Sequence, residues 1–279
     1  MEFCERLANL RKEKKETQVQ LAEAIGITSR QLQMLEAGQS FPQYKTFCAL
    51  AEHFGVSLDY LAGRSRRTDG MVLENKLGIT SSAELAREEE RISKARALEL
   101  FEKGLLDQFE IGTFRGLAQI HAYLFGEIYE FAGQVRTVNI AKGNFRFAPV
   151  LYLRAALDQI GHMPQSTFDE IIEKYVEMNV AHPFREGNGR SARLWLDAIL
   201  KKELRQVVDW SQVDRQDYLA AMERSPVRDL EIKTLLKAAL TDKINDREVY
   251  MKGVDASYRY EGYDAYKTAD AKIQTSVEP

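Results

Sequence analysis

The chain has 279 residues, enough for one large domain or a large and a small one with a real hydrophobic core. Apolar residues make up 44%, charged residues 29%, and the net charge is −3, the profile of an ordinary soluble protein. No run approaches the roughly 20 apolar residues that span a bilayer, and the opening Met-Glu-Phe-Cys-Glu-Arg lacks the basic-then-apolar layout of a secretory signal, so no membrane partner and a cytoplasmic location are expected. Cys4 and Cys48 are then expected as buried free thiols, with a disulfide between them as the alternative. Residues 1–63 read as short helices with clear punctuation. Leu7 and Leu10 lie on a first helix that ends in the charged run Arg11–Glu16. Thr17 can cap a second helix over Gln18–Ile25, which Gly26 stops; Thr28 or Ser29 can cap a third, running to Gly38. Pro42 precedes a fourth, to Gly55, and Ser57 caps a last turn ending at Gly63.

Two short helices joined by Gly26-Ile-Thr form a helix-turn-helix pattern. Leu21-Ala22, Gly26-Ile27-Thr28, Leu35-Glu-Ala-Gly38, Pro42, Leu50-Ala51 and Phe54-Gly-Val-Ser-Leu-Asp-Tyr-Leu61 together resemble the repressor-type (XRE/Cro) DNA-binding domain over nearly all of residues 1–65. With Leu32 and Leu35 facing inward, Ser29, Arg30, Gln31 and Gln33 are the residues placed to reach a DNA groove; a protein-binding helical module is the alternative. Residues 1–67 carry 10 Lys/Arg against 8 Asp/Glu, a faint lean toward nucleic acid.

Residues 66–91 are expected as a linker, from the polar, turn-rich Arg64–Gly70 and the charge run Glu88–Glu90. Beyond them helical apolar periodicity dominates, at Leu98–Leu106, Phe114–Ile128, Leu151–Ile160, Phe168–Val180, Ser191–Leu204 and Leu230–Leu240. One interval breaks it: Val135–Phe147 alternates Val138, Ile140 and Phe145, Phe147 around Gly143-Asn144, which predicts a small β-hairpin. The fold class is therefore all-α, a five-helix domain followed by a larger helical domain over 92–244 with one hairpin, a further helix over 245–266 and a disordered tail over 267–279.

The chemistry concentrates in 182–193. Pro183 keeps His182 out of helical geometry, so a helix must end there. Glycines 187 and 189 permit a tight turn and close ligand approach, and the apolar run from Leu194 restarts a helix. A glycine-rich loop entering a helix presents free backbone N–H groups at the positive end of the helix dipole, a setting for phosphate. Arg190 and Arg193, three apart on one helix face, suit a polyphosphate rather than a single phosphate. Glu186 offers a hard oxygen to Mg²⁺, and His182 is the nearby group suited to take a proton from a hydroxyl. His53, His121 and His162 are isolated and read as structural.

This stretch matches the Fic signature, His-x-Phe-x-(Asp/Glu)-Gly-Asn-Gly-Arg-x-x-Arg, at every defined position. Ile120-His121, Leu124-Phe125, Tyr129-Glu-Phe-Ala-Gly133 and Arg136 resemble the upstream Fic segment, so the resemblance covers roughly residues 93–240. It implies transfer of AMP from ATP to a protein hydroxyl, by attack at the α-phosphorus with pyrophosphate leaving. On that resemblance His182 is the base, Phe184 a core anchor, and Glu186 the ligand of a Mg²⁺ bridging the α- and β-phosphates. Asn188 would hold the α-phosphate, the Gly187 and Gly189 region the anion hole, Arg190 the β-phosphate and Arg193 the γ-phosphate. Gly189 stands where the phosphate-transferring Doc relatives carry Lys, which favours AMP transfer. The hairpin, with Lys142, Gly143, Asn144 and Phe145, lies where Fic proteins place a target-docking flap.

Further on, Ser257-Tyr-Arg-Tyr-Glu261-Gly262 matches the inhibitory motif of class III Fic proteins, (Ser/Thr)-x-x-x-Glu-(Gly/Asn) on a C-terminal helix. Ser257 and Glu261, four apart, share a face, and a carboxylate beside Arg193 would displace the γ-phosphate's partner. Tyr258 and Tyr260 are automodification candidates, unless they simply pack the helix. Expected partners are a target protein (the resemblance makes a topoisomerase subunit one to test), DNA through the first domain, and a homo-oligomer. The alternatives are a nucleotide-sensing repressor and an AMP-removing enzyme.

Overall fold

The computed structural model describes residues 3–54, 56, 58–62, 72–142, 145–263 and 265–268. The chain divides into two compact units, Met1–Leu73 and Glu74–Pro279. No helix among the described residues is long and apolar enough to cross a membrane.

In the first unit, helices α1 (Phe3–Glu13), α2 (Gln18–Ile25), α3 (Ser29–Glu36), α4 (Tyr44–Phe54) and α5 (Leu58–Leu61) follow the expected order. Thr17 and Thr28 each close a capping box, with Gln20 and Gln31 respectively, and Gly26 ends α2 in the left-handed conformation at φ 72°. Leu7, Leu10, Leu21, Leu32, Leu35, Leu50 and Leu61 form one core. A two-pronged Arg11–Glu36 pair, at 2.6 and 3.0 Å, ties α1 to α3, and Gln18 donates to the same carboxylate at 2.7 Å. Cys4 and Cys48 are free but only half-buried. The expected cap Ser57 and the boundary glycines Gly55 and Gly63 lie outside the described residues, as do 66–71 of the linker and 269–279 of the tail.

The second unit opens with α6 (Ser82–Glu102), capped by Ser81. The helix therefore covers the last part of the span expected as linker. The reason is its buried face, where Leu85, Glu89, Ile92, Ser93, Ala97 and Leu100 recur at helical spacing, so that Glu89 and Glu90 are interior rather than solvated. Around it come α7 (Phe114–Phe125), β1 (Ala141–Lys142), β2 (Phe145–Arg146), α8 (Val150–His162), α9 (Phe168–Ala181) and α10 (Asn188–Leu204). After these follow β3 (Val207–Val208), α11 (Arg215–Arg224), α12 (Leu230–Ala238), β4 (Leu240–Thr241) and α13 (Arg247–Tyr260). The pairing of β1 with β2 is antiparallel, Ala141 opposite Arg146, and shorter than the expected hairpin. A second antiparallel pair, Val207 opposite Thr241, was not foreseen. Helix α10 is the central element: it packs on α7 and α9, and its Trp195 is fully buried with the indole donating to the Thr113 carbonyl at 3.1 Å. Across α6 and α10 lies α13, which rests on a 3₁₀ turn at Trp210–Gln212.

Candidate active site

The loop between α9 and α10 is held from within. His182 ends α9 in the left-handed region, φ 49°, and its Nδ1 donates to the Asn179 carbonyl at 3.3 Å, which leaves Nε2 as the imidazole's acceptor. Its ring stacks on Phe147 with centroids 3.6 Å apart. Phe184 is fully buried and stacks on His121 at 3.8 Å. The Gly133 amide donates to His121 Nδ1 at 2.9 Å, so Nε2 carries the proton and donates to the Glu186 carbonyl at 2.8 Å. Burial pushes the His121 pKa down to about 4, so the ring stays neutral and serves as a loop brace. Gly187 has φ 74°, and a Cβ there would lie 2.5 Å from the Phe125 ring; close approach and backbone conformation both demand glycine.

The first turn of α10 leaves the amides of residues 188–190 without intrahelical acceptors, because Ser191 is the first to donate back, to Gly187. They border a cleft of about 630 Å³ lined by His182, Arg185–Arg190, Arg193, Tyr218, Glu261 and, from the hairpin side, Ile140, Phe145 and Phe147. Arg190 is almost entirely buried, and its guanidinium bonds Glu89 at 2.5 Å and Glu186 at 3.0 Å. The rings of Phe125, Tyr258 and Tyr263 surround it at 4.6 to 5.3 Å. Arg193 reaches α13: Nε donates to Ser257 Oγ at 2.6 Å, and one terminal nitrogen to the Ser257 carbonyl at 2.9 Å and to Glu261 Oε1 at 3.0 Å. Burial opposes the Arg193 charge, but Tyr218 and Glu261 outweigh it and hold its pKa above the ordinary value. A Cβ on Gly189 would fall 2.3 Å from Glu261 Oε1, so glycine at this position is what admits the carboxylate.

The Fic/DOC family model matches residues 113–200, and that of a helix-turn-helix domain matches residues 4–64. Over 171 residues the chain is 30% identical to the probable protein adenylyltransferase y4lH of Sinorhizobium fredii, covering 57% of this chain and 85% of that one. The chain belongs to the Fic/DOC family. It is also 31% identical over 192 residues to the protein adenylyltransferase VbhT of Bartonella schoenbuchensis, a match of 64% of this chain that spans only 39% of VbhT. Among solved structures, the Fic domain of a Bartonella quintana cell filamentation protein with bound ADP superposes with a TM-score of 0.52 at 18% identity, covering 62% of this chain and 92% of that one, a likeness of fold.

Within this Fic unit His182, Glu186–Arg190, Arg193 and Glu261 line one cleft, Ser257 joins it through Arg193, and Phe184 is buried beneath it, though not all in the expected way. Asn188, expected to hold phosphate, has its side-chain amide engaged at both ends: its oxygen accepts from the Phe184 amide and its nitrogen donates to the Phe184 carbonyl, each at 2.8 Å. Tyr258 and Tyr260, the automodification candidates, are 2% and 3% exposed because they face inward from α13, and the Tyr260 hydroxyl donates to the Trp210 and Val213 carbonyls. Of the flap residues, Gly143 and Asn144 lie outside the described residues; Lys142 pairs with Phe145 across the strands. Among the described residues no group of three or more His, Cys, Asp or Glu could hold a metal. A Mg²⁺ here would depend on Glu186, whose carboxylate is 41% exposed, and on phosphate oxygens, the way Mg²⁺ usually binds beside a nucleotide. Sequence reasoning missed Glu89, the partner of Arg190, although one signal pointed to it: a carboxylate on the apolar stripe between Leu85 and Ile92. It also missed Phe147 as the surface on which His182 stacks.

Proposed function

We propose that the chain transfers AMP from ATP to a hydroxyl of another protein, and that α13 restrains it. One observation carries this reading: the Arg193 guanidinium, which the signature assigns to the γ-phosphate, is held by Ser257 and Glu261 at the edge of the cleft that His182 lines. With Glu261 in place a triphosphate meets a negative charge where it needs a cation. With Glu261 withdrawn, Arg193 takes the γ-phosphate, and Arg190 takes the β-phosphate by giving up its bond to Glu186, while the 188–190 amides face the α-phosphate. His182 Nε2 accepts the proton of the target hydroxyl as that oxygen attacks the α-phosphorus, and pyrophosphate departs in line. Mg²⁺, held by Glu186, would supply charge neutralisation of the phosphates when bound. The N-terminal unit supports a second activity, sequence-specific DNA binding through α3. The compartment in keeping with both is the cytoplasm.

The test is incorporation of label into protein from ATP carrying it at the α- or the γ-phosphate, using the Glu261→Gly chain with itself or a bacterial lysate as acceptor. The α-label is expected to stay on protein and the γ-label not to. His182→Ala should cut transfer by about 10²–10⁴-fold while nucleotide still binds. Label from the γ-position, or full activity without His182, would overturn the reading.

A further inference from the structure

Arg136 is 4% exposed, and among the described residues every hydrogen bond of its guanidinium goes to a main-chain carbonyl. Nε donates to His182 O at 2.8 Å; one terminal nitrogen donates to Val138 O at 2.8 Å; the other donates to Ala148 O at 2.6 Å and Ala181 O at 3.2 Å. Two of these acceptors are the last carbonyls of α9, the negative end of its dipole. The other two flank the hairpin, one on each side. The backbone joins in: the Arg136 amide donates to Pro183 O at 2.8 Å, and the Ala148 amide donates to Val180 O at 3.0 Å. Segments 136–138, 148 and 180–183 are thus laced together, with the Arg136 side chain at the centre and two backbone bonds beside it.

This arrangement is costly to bury. Among the described residues no carboxylate takes part, and burial lowers the Arg136 pKa, though a guanidinium remains charged in any protein. A hydrophobic residue would fill the space without that penalty. The specific result of the lacing is geometric. Drawing Ala148 O and His182 O onto one planar group brings Phe147, next to Ala148, face to face with the His182 ring. It also ties down the carbonyl of His182, which stands in the left-handed region that few non-glycine residues adopt.

We propose that Arg136 is a positioning residue for AMP transfer: it fixes the His182 imidazole against Phe147 and sets the base of the hairpin beside it, so that base and docking strand stand in one fixed register. The proposal rests on the reading of His182 as the base. Lysine cannot replace arginine here, because a single ammonium on a flexible stem lacks the planar fork that spans four carbonyls.

Arg136→Lys in the full-length Glu261→Gly chain tests this with two independent readouts. The chain has 4 histidines, so histidine-selective isotope labelling gives a short set of imidazole correlations. The His182 ring protons should be shifted upfield by the Phe147 face in the parent and move back toward ordinary values in Arg136→Lys, with His121 unmoved. In the same variant kcat for transfer should fall roughly 10²-fold with ATP affinity retained, the scale of loss for a displaced catalytic group. Unchanged His182 resonances, or unchanged kcat, would overturn the proposal. If the Glu261→Gly parent transfers nothing, the functional reading fails, and the resonances still decide whether Arg136 places the ring. Should Arg136→Lys not fold, Phe147→Leu removes the same contact from its other side. There a lower kcat at retained ATP affinity is expected, and full transfer would overturn the proposal.

Discussion

At the residue scale, the cleft is governed by what Arg193 touches. Its side chain is 3% exposed, while that of its partner Glu261 is 22% exposed, so removing Glu261 leaves a buried guanidinium that keeps Ser257 but lacks a counter-charge, which a phosphate can supply. Glu261→Gly should therefore raise transfer of α-label by roughly tenfold or more, a change of about 1.4 kcal/mol in barrier. Arg193→Ala cuts the same contact but should lower transfer, because it deletes the group to which we assign the γ-phosphate. Labelling by wild type, Glu261→Gly and Arg193→Ala in parallel checks the divergence; equal labelling by wild type and Glu261→Gly would show that the brake lies elsewhere. The signature was legible in the sequence because its residues are contiguous between His182 and Arg193, and Ser257 and Glu261 because a helix turn brings positions four apart together. Glu89 and Arg136 were not legible as site residues. Their partners lie 101 and 46 positions away along the chain, and no local pattern encodes such a meeting.

At the element scale, the helices with caps and a sharp apolar stripe were readable, α2, α3 and α9 above all, since capping boxes and periodicity are local signals. Helix α11, Arg-Gln-Asp-Tyr-Leu-Ala-Ala-Met-Glu-Arg, was not: only Tyr218 and Ala221 are buried, too few to make a periodic stripe. The two-residue strands β3 and β4 have no signal of their own; α10 fixes β3 through the carboxylate of Asp197. That carboxylate accepts from the Val208 amide at 2.9 Å and the Trp210 indole at 2.7 Å, and Trp210 in turn is the floor on which Gly253 of α13 sits. Burial raises the Asp197 pKa to about 7, against the pull of those two hydrogen bonds and of Arg193. In the unfolded chain the group titrates near pH ~3.9. Between about pH 4 and 7 the native state thus keeps a proton that the unfolded state has released, and stability falls as pH rises through that window. Asp197→Asn loses one acceptor at every pH but does not titrate. Urea midpoints measured from about pH 5 to 8 should decline more steeply for wild type than for Asp197→Asn, and parallel declines would remove Asp197 as the cause.

At the scale of the whole molecule, two compact units lie on one chain, and the first matches a helix-turn-helix domain. The first unit buries Leu32 and Leu35 of α3 and leaves Arg30, Gln31 and Gln33 exposed, with Ser29 half-buried, as a recognition helix requires. Gln31 has a second task, since its side-chain oxygen accepts from the Thr28 amide at 2.9 Å in the capping box; its removal would weaken the helix as well as any DNA contact. Arg30 and Gln33 are the cleaner probes. We expect the full chain to enrich a two-fold-symmetric sequence from a random duplex library, with half-sites about 34–36 Å or a multiple apart. On the enriched duplex, Arg30→Ala with Gln33→Ala should weaken binding by about 1–3 kcal/mol for each base no longer read, and weaken binding to unrelated duplex much less. Fluorescence anisotropy at two salt concentrations separates the cases. An equal loss on both duplexes, with a shallower salt dependence, would mean that these side chains touch only phosphate, and α3 would then position the unit on DNA without reading its sequence.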